Sequence, residues 1–180
     1  MKSNIEFETK VLDIDLDQVV KQLQELGAVE EPETLRRVIL FDMESENIEW
    51  IRLRDEKGKT TMTYKYKTIG NTAIGKTEEI EVVVSDFEKT RQILNKLKFR
   101  RVLYQENKVH IFRLNNIEFS IATWPKIKPY LEVEGHSEED VKRGLEILNL
   151  SGKDAGDLDI AEIYKKVGLD LNSVAEMKFE

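Results

Sequence analysis

The chain has 180 residues, 40% of them apolar, and carries a formal net charge of −7 with 35% of its side chains charged. That length fits one domain, expected over residues 1–180, and the acid excess argues against a nucleic-acid binder, which needs a basic surface to neutralise phosphates. With no cysteine and only two histidines, disulfides, thiolate sites and cysteine nucleophiles are excluded, and any metal is left to oxygen donors, hence to hard cations such as magnesium, manganese or calcium. No run approaches the roughly 18 uncharged apolar residues of a membrane span and no apolar signal core opens the chain, so the expectation is a cytoplasmic protein with no membrane partner.

In chain order, Ile5, Phe7 and Thr9 alternate with Glu6, Glu8 and Lys10, the period-2 pattern of a strand with one charged face. Asp15 with Gln18 reads as a capping box, after which Leu16, Val19, Val20, Leu23 and Leu26 recur at helical spacing until Gly27. LRRVILFD, NIEWIRLRD and TTMTYKYK follow as strands, the last two joined by a hairpin across Gly58, with EEIEVVV next and a hairpin tip expected at residues 71–76. Ser85 with Glu88 and Ser137 with Asp140 repeat the capping signal ahead of two more amphipathic helices. Between them RRVLYQ and KVHIFRL read as two strands, followed by IEFSIA and YLEVEG. A short last helix is predicted from about Asp159 to Val167, ending at Gly168. Eight or nine strands with short connections predict an α+β fold: an antiparallel, roughly eight-stranded barrel closed into a tunnel, with helices on its surface.

The two faces of each strand separate cleanly. Arg52 and Arg54 oppose Ile51 and Leu53; Lys65 and Lys67 oppose Tyr64 and Tyr66; Glu79 and Glu81 oppose Ile80 and Val82; Glu132 and Glu134 oppose Leu131 and Val133. One such pair alone describes an ordinary half-wet sheet. Taken together, each pair has a single sign, where a solvated face usually mixes signs. The helices also need an apolar face to cover, which turns the charged face inward if the sheet closes. Charges collected inside a barrel must stay wet or meet a ligand that completes their pairing. A polyphosphate with a divalent cation does this: guanidinium forks and ammonium groups take its oxygens, and clustered glutamates hold the metal.

These motifs together resemble the CYTH superfamily, the triphosphate tunnel metalloenzymes that include class IV adenylyl cyclases and thiamine triphosphatases. Glu6-x-Glu8-x-Lys10 matches its ExExK signature, and IRLRD, TYKYK, EEIEV and YLEVEG follow in the family order. The resemblance implies a tunnel barrel with magnesium or manganese at an interior site. By motif it makes Glu6, Glu8, Glu132 and Glu134 metal ligands, and Lys10, Arg52, Arg54, Lys65 and Lys67 triphosphate-binding cations, with Lys10 also counted among the catalytic residues. Glu79 and Glu81 become the acidic pair that binds metal or positions water. Family members often carry an acid shortly before a TWP-like turn, where FSIATWP has Ala122, and an arginine in the preceding strand, where QENKVHIFRL offers Lys108 as a phosphate contact, with His110 beside it. The implied activity is hydrolysis of a short linear triphosphate, inorganic or organic. The alternatives are an adenylyl cyclase making cyclic AMP from ATP, or a polyphosphate binder with weakened catalysis. The partner is then a small polyphosphate or nucleotide, and a barrel of this size admits a homodimer.

Overall fold

A computed structural model describes residues 4–68, 75–156 and 158–180 of the chain. The expected hairpin tip at residues 71–76 falls mostly outside them, with only its last two residues inside a strand. Strands β1 (Asn4–Val11), β2 (Val29–Asp42), β3 (Ile48–Glu56), β4 (Lys59–Thr68), β5 (Gly75–Val84), β6 (Arg101–Leu114), β7 (Ile117–Thr123) and β8 (Tyr130–Gly135) pair antiparallel in the order β2-β3-β4-β5-β1-β8-β7-β6. A β2–β6 pairing closes the barrel, and the two-residue β9 (Glu176–Met177) adds in parallel to β6. Closure leaves the eight barrel strands paired on both sides, the arrangement that removes exposed sheet edges.

The predicted pair RRVLYQ and KVHIFRL is one continuous 14-residue strand, β6. Glu106 and Asn107 separate the two apolar runs in sequence, but their backbone stays in register with Arg37 and Arg36 of β2, so the ladder does not break. The β2 partner bends through a register shift between Glu31 and Thr34, where Pro32, having no N–H to give, is tolerated. The β3–β4 hairpin turns on Lys57 and Gly58, both at positive φ, the two-residue turn whose twist matches that of the flanking strands.

Helices α1 (Leu16–Glu25), α2 (Phe87–Leu94), α3 (Glu138–Ile147) and α4 (Ile160–Lys166) lie outside the barrel. Asp15, Ser137 and Asp159 cap α1, α3 and α4 as expected, and Asp159 with Glu162 completes a capping box. The α2 cap is Asp86 rather than Ser85: its carboxylate takes the Lys89 N–H at 2.8 Å, and an anion at a helix start also meets the positive end of the helix dipole. Val19 and Leu23 of α1 and Val141, Leu145 and Leu148 of the α3 segment bury against Val11, Phe119, Leu131 and Val133. Phe87 and Leu94 of α2 cover Ile39, Phe41 and Leu53. The apolar strand faces thus point outward to the helices, leaving the charged faces to the interior. Met62 of β4 and Val84 of β5 pack against the same α2 cluster, whereas Ile80 and Val82 of β5 remain about half exposed. No helix among the described residues is long and apolar enough to cross a membrane.

Candidate active site in the tunnel

The inward side chains surround a cavity of about 920 Å³. Strand alternation puts Glu6, Glu8 and Lys10 of β1 into it, with Arg52 and Arg54 of β3, Lys65 and Lys67 of β4, Glu79 and Glu81 of β5, and Glu132 and Glu134 of β8. All of these were singled out from the sequence, and they line one space. A smaller cleft of about 310 Å³ lies outside the barrel between α1 and the end of α3. Its charged groups are Asp13, Asp15 and Lys153, too few to grip a polyanion.

Within the tunnel the cations lean on its own acids. Lys10 Nζ stands 3.1 Å from Glu8 and 3.6 Å from Glu132, and Lys65 pairs with Glu79. Arg52 reaches Glu81 at 3.6 Å and Glu79 at 3.8 Å, while Arg54 reaches Glu81 at 3.7 Å and Glu56 at 3.9 Å. Most of these contacts are long for charge-assisted hydrogen bonds, whose optimum lies near 2.7–2.9 Å. Arg52 Nε is buried without a hydrogen-bond partner among the described residues. The guanidiniums are therefore held in place but not saturated.

The acids sort into two states. Burial, then the neighbouring Glu79 charge, pushes Glu6 up to about 7. Burial, then Glu6, Glu118 and Glu8, pushes Glu134 up to about 8, and burial also raises Glu132. Glu8 is instead held down at about 2, chiefly by the Lys10 ammonium against the opposing effect of burial. Burial works against Glu81 as well, but the Thr63 hydroxyl at 2.8 Å and the Arg54 and Arg52 charges keep it below the usual carboxylate range. Burial and the charges of Arg52 and Arg36 lower Arg54 to about 10. Crowded anions on one side and crowded cations on the other are each relieved by a ligand of the opposite charge.

Lys108 does not join this set. It sits at an even position of β6, whereas the inward residues are Arg101, Leu103, Gln105, Asn107, Ile111 and Arg113; Lys108 pairs outside with Glu33 and lies over the Phe179 ring. His110 shares that outer face, 2.8 Å from Glu30. The arginines β6 does bring to the tunnel lining are Arg101, bonded at 2.7 Å to Asp42 of β2, and Arg113, bonded at 2.7 Å to Glu118 of β7. Ala122 is 1% exposed, shut in with Tyr130 and Ile163. Glu118, Ser120, Arg36, Gln105 and Asn107 also line the tunnel and were not picked out from the sequence. The alternation of IEFSIA and LRRVILFD carried the signal for Glu118 and Arg36, but Glu118 shares its face with Ser120 and Ala122 and Arg36 with Val38 and Leu40, so each lacks a like-charged companion.

For a divalent cation the donors are the right kind, all carboxylate oxygen. Glu8 lies opposite Glu134 in the β1–β8 register, and Glu134 lies opposite Glu118 in the β8–β7 register, which brings three acids into one row. The upward shifts of Glu6, Glu132 and Glu134 mark a place where a cation would relieve repulsion. Among the described residues no group of three or more acids or histidines already converges as a finished metal site. Binding would thus require side-chain rotation, with Glu8 loosening its hold on Lys10.

The CYTH domain model matches residues 4–159. The chain belongs to the CYTH family. A curated CYTH relative from Methanocaldococcus jannaschii, named as an adenylate cyclase candidate, is 38% identical over 135 residues, covering 72% of this chain and 76% of its own. Among solved structures, a Pyrococcus horikoshii protein shares the fold with a TM-score of 0.68 at 22% identity, over 83% of this chain and 93% of that one. A Hippeastrum protein, described as an adenylyl cyclase candidate with dominant triphosphatase activity, aligns with a TM-score of 0.62 at 13% identity, over 93% of this chain and 97% of its own.

Proposed function

We propose that this CYTH protein is a phosphohydrolase that cleaves a short linear triphosphate, inorganic or organic, inside the tunnel with a bound magnesium or manganese ion. The observation that carries the reading is the shared cavity, in which Lys10, Arg52, Arg54 and Lys65 face Glu6, Glu8, Glu132 and Glu134. The triphosphatase activity named for the Hippeastrum protein agrees with it. Glu6, Glu8, Glu132 and Glu134 would hold the divalent ion, which would supply positive charge to offset that developing on the phosphoryl oxygens.

The rest of the chemistry belongs to the chain. Arg52 and Arg54 offer forked donors to phosphate oxygens, and the unpartnered Arg52 Nε is one donor already free for them. Lys10 and Lys65 act as point charges on the same oxygens. In the hydrolytic step a water oxygen bonds to the terminal phosphorus as the bridging P–O bond breaks. The shortened phosphate chain leaves with the bonding electrons, and a carboxylate takes the water's proton. Glu81 suits that last role: the Thr63 hydroxyl and two guanidiniums keep it ionised, and it is open enough to meet water. Preorganised charge of this kind is commonly the largest catalytic contribution in phosphoryl transfer.

The test is a panel of inorganic triphosphate, ATP and thiamine triphosphate with magnesium and with manganese, reading phosphate, pyrophosphate and cyclic nucleotide together. Phosphate release is expected, with Glu8→Gln and Arg54→Ala each reducing it by about 100-fold or more while the protein stays folded. Undiminished activity in both variants would sink the assignment. The name of the Methanocaldococcus relative favours a second reading, the cyclase, in which the ribose hydroxyl replaces water. Cyclic AMP and pyrophosphate from ATP in the same panel would establish it.

A further inference from the structure

Several buried polar atoms that line the tunnel have no hydrogen-bond partner among the described residues. Gln105 and Asn107 leave amide atoms open on β6, and Arg52 leaves Nε open on β3. On β4 the open atom is the hydroxyl of Thr61, a residue only 3% exposed. The branched side chain of threonine suits a strand, but valine has nearly the same shape and would bury no orphan group there. A buried hydroxyl that makes no bond destabilises the free protein, and most native ones are satisfied. One left open in the wall of a reaction cavity therefore points to a partner that arrives with the reaction.

The register of β3, β4 and β5 says what surrounds that hydroxyl. Thr63, 0% exposed, stands opposite Arg52 on one side and Glu81 on the other. It accepts from Arg52 Nη2 at 3.4 Å and donates its own hydrogen to Glu81 Oε2 at 2.8 Å. Arg52 and Arg54 approach that same Oε2 at 3.6 and 3.7 Å. One oxygen of Glu81 is thus fixed, and Oε1 is left without a hydrogen bond among the described residues. Thr61 stands opposite Arg54 and diagonally across from Glu81 on the same inward side. Burial works against the Glu81 charge, and the Thr61 hydroxyl joins Thr63, Arg54 and Arg52 in sustaining it, which marks Thr61 as a close neighbour of that carboxylate. The two side chains are near each other, yet they do not bond directly.

A hydroxyl and a carboxylate oxygen that are close but unbonded form a seat for one water molecule. We propose that Thr61 is a further catalytic residue, and that the water attacking the terminal phosphorus sits between Thr61 Oγ1 and Glu81 Oε1. The water points one hydrogen at Glu81 Oε1 and the other at Thr61 Oγ1, which turns an oxygen lone pair toward a phosphate gripped by Arg54. As the new O–P bond forms, the bridging P–O bond breaks and its electrons leave with the shortened phosphate chain. The first hydrogen passes to Oε1 as a proton, and the second stays on the oxygen, now part of the released phosphate. Thr61 keeps its own hydrogen throughout and directs it at a phosphoryl oxygen. Thr63 is a positioning residue in this arrangement: by holding Oε2 it aims Oε1 at the water. The inference rests on the triphosphatase reading above and adds to it the place and orientation of the nucleophile.

The test uses the full chain with magnesium and whichever compound of the panel above releases phosphate fastest, measuring kcat and KM separately. Calorimetry with inorganic triphosphate in chelator measures binding without turnover. Thr61→Val should lower kcat about tenfold, the scale of one lost hydrogen bond, with KM and that affinity little changed. Its ligand-free form should melt no lower than the parent, because the substitution removes an unsatisfied buried group. Thr61→Ser, which keeps the hydroxyl, should recover most of the lost turnover. In a Glu81→Gln background Thr61→Val should cost little more, since two groups that hold one water act as a unit. Thr61→Ala reads the same quantities if Thr61→Val does not fold. An unchanged kcat, a loss confined to KM, turnover in Thr61→Ser as low as in Thr61→Val, or full additivity with Glu81→Gln would overturn the proposal and leave the triphosphatase reading in place. No phosphate from any compound would remove that reading and the proposal with it.

Discussion

Lys10 Nζ lies 3.1 Å from Glu8 Oε1, two residues back on the same strand, and the pair faces the tunnel. A spacing of two is what puts both on one face, and burial makes the contact matter: the Lys10 side chain is 7% exposed. Because the same ammonium also approaches Glu132, one cation holds two acids apart from open repulsion. Lys10→Met should therefore destabilise the metal-free protein by about 1–3 kcal/mol at pH 8, the cost of leaving a buried charged group without its partner. It should also raise the carboxyl pKa of Glu8, which Lys10 holds down. Thermal melts in chelator with and without the substitution measure the first effect, and carboxyl titration by NMR measures the second. A variant as stable as the parent at pH 8 would show that the contact contributes nothing.

The raised acids set a pH profile with a definite sign. Glu6 and Glu134 bind protons more tightly folded, at about 7 and about 8, than their ordinary value of 4.5. Stability from that preference is fully present below pH 4.5 and is lost as pH rises through 7 and 8. Glu8 acts in the opposite sense: held at about 2, its contribution is present above pH 4.5 and falls away in stronger acid. The metal-free protein should thus melt highest near pH 5 and progressively lower up to pH 9. A divalent cation competes with those protons, so magnesium should raise the melting temperature more at pH 8.5 than at pH 5.5. Calorimetry in chelator and in magnesium across that range checks both statements, and a metal-free melting temperature that climbs from pH 5 to pH 8.5 contradicts them.

Arg36 illustrates what the sequence held and what it hid. The faces of β1, β3, β4, β5 and β8 were legible because each carries two like charges at a spacing of two, a pattern that survives without knowing the neighbours. On β2 the inward row is Arg36, Val38, Leu40 and Asp42 and the outward row contains Arg37, so neither row declares itself. On β6 the difficulty was parity. A one-residue error exchanges the two faces of a strand, and Lys108 was assigned to the tunnel although Asn107 and Arg113 are the residues that point there. The unpaired amides of Gln105 and Asn107 were beyond any pattern, since a missing partner exists only once the strands are assembled.

Arg36 also yields a prediction. It bonds to Glu56 at 2.9 Å and its charge helps to lower Arg54, which places it within reach of the same anion. Arg36→Gln should raise KM for triphosphates about tenfold with a smaller effect on kcat, the signature of a lost binding contact. The stabilisation that inorganic triphosphate gives in a thermal melt should shrink in parallel. A change confined to kcat would place Arg36 elsewhere in the mechanism.

Ala122 gives the last test, because sequence and structure point in different directions there. The family resemblance calls for an acid near this position, and Ala122→Asp is the substitution that supplies it. In the fold, Ala122 pairs with Val109 on one side and Tyr130 on the other, and it is sealed beneath Tyr130 and Ile163. A carboxylate there would lose its water without gaining a free cation, since Lys10, Arg54 and Lys65 of the tunnel are already paired with Glu8, Glu81 and Glu79. Burying an unpaired charge costs several kcal/mol unless the group protonates, and overpacking Tyr130 adds to this. Ala122→Asp should therefore lower the melting temperature by several degrees and leave phosphate release no higher than in the parent. Glu118, on the same inward row and bonded to Arg113, is the β7 acid that does reach the tunnel. Glu118→Gln should weaken the stabilisation by magnesium where Ala122→Asp does not strengthen it. Measured side by side, a gain of turnover in Ala122→Asp would show that the Tyr130 seal opens and that position 122 belongs to the site.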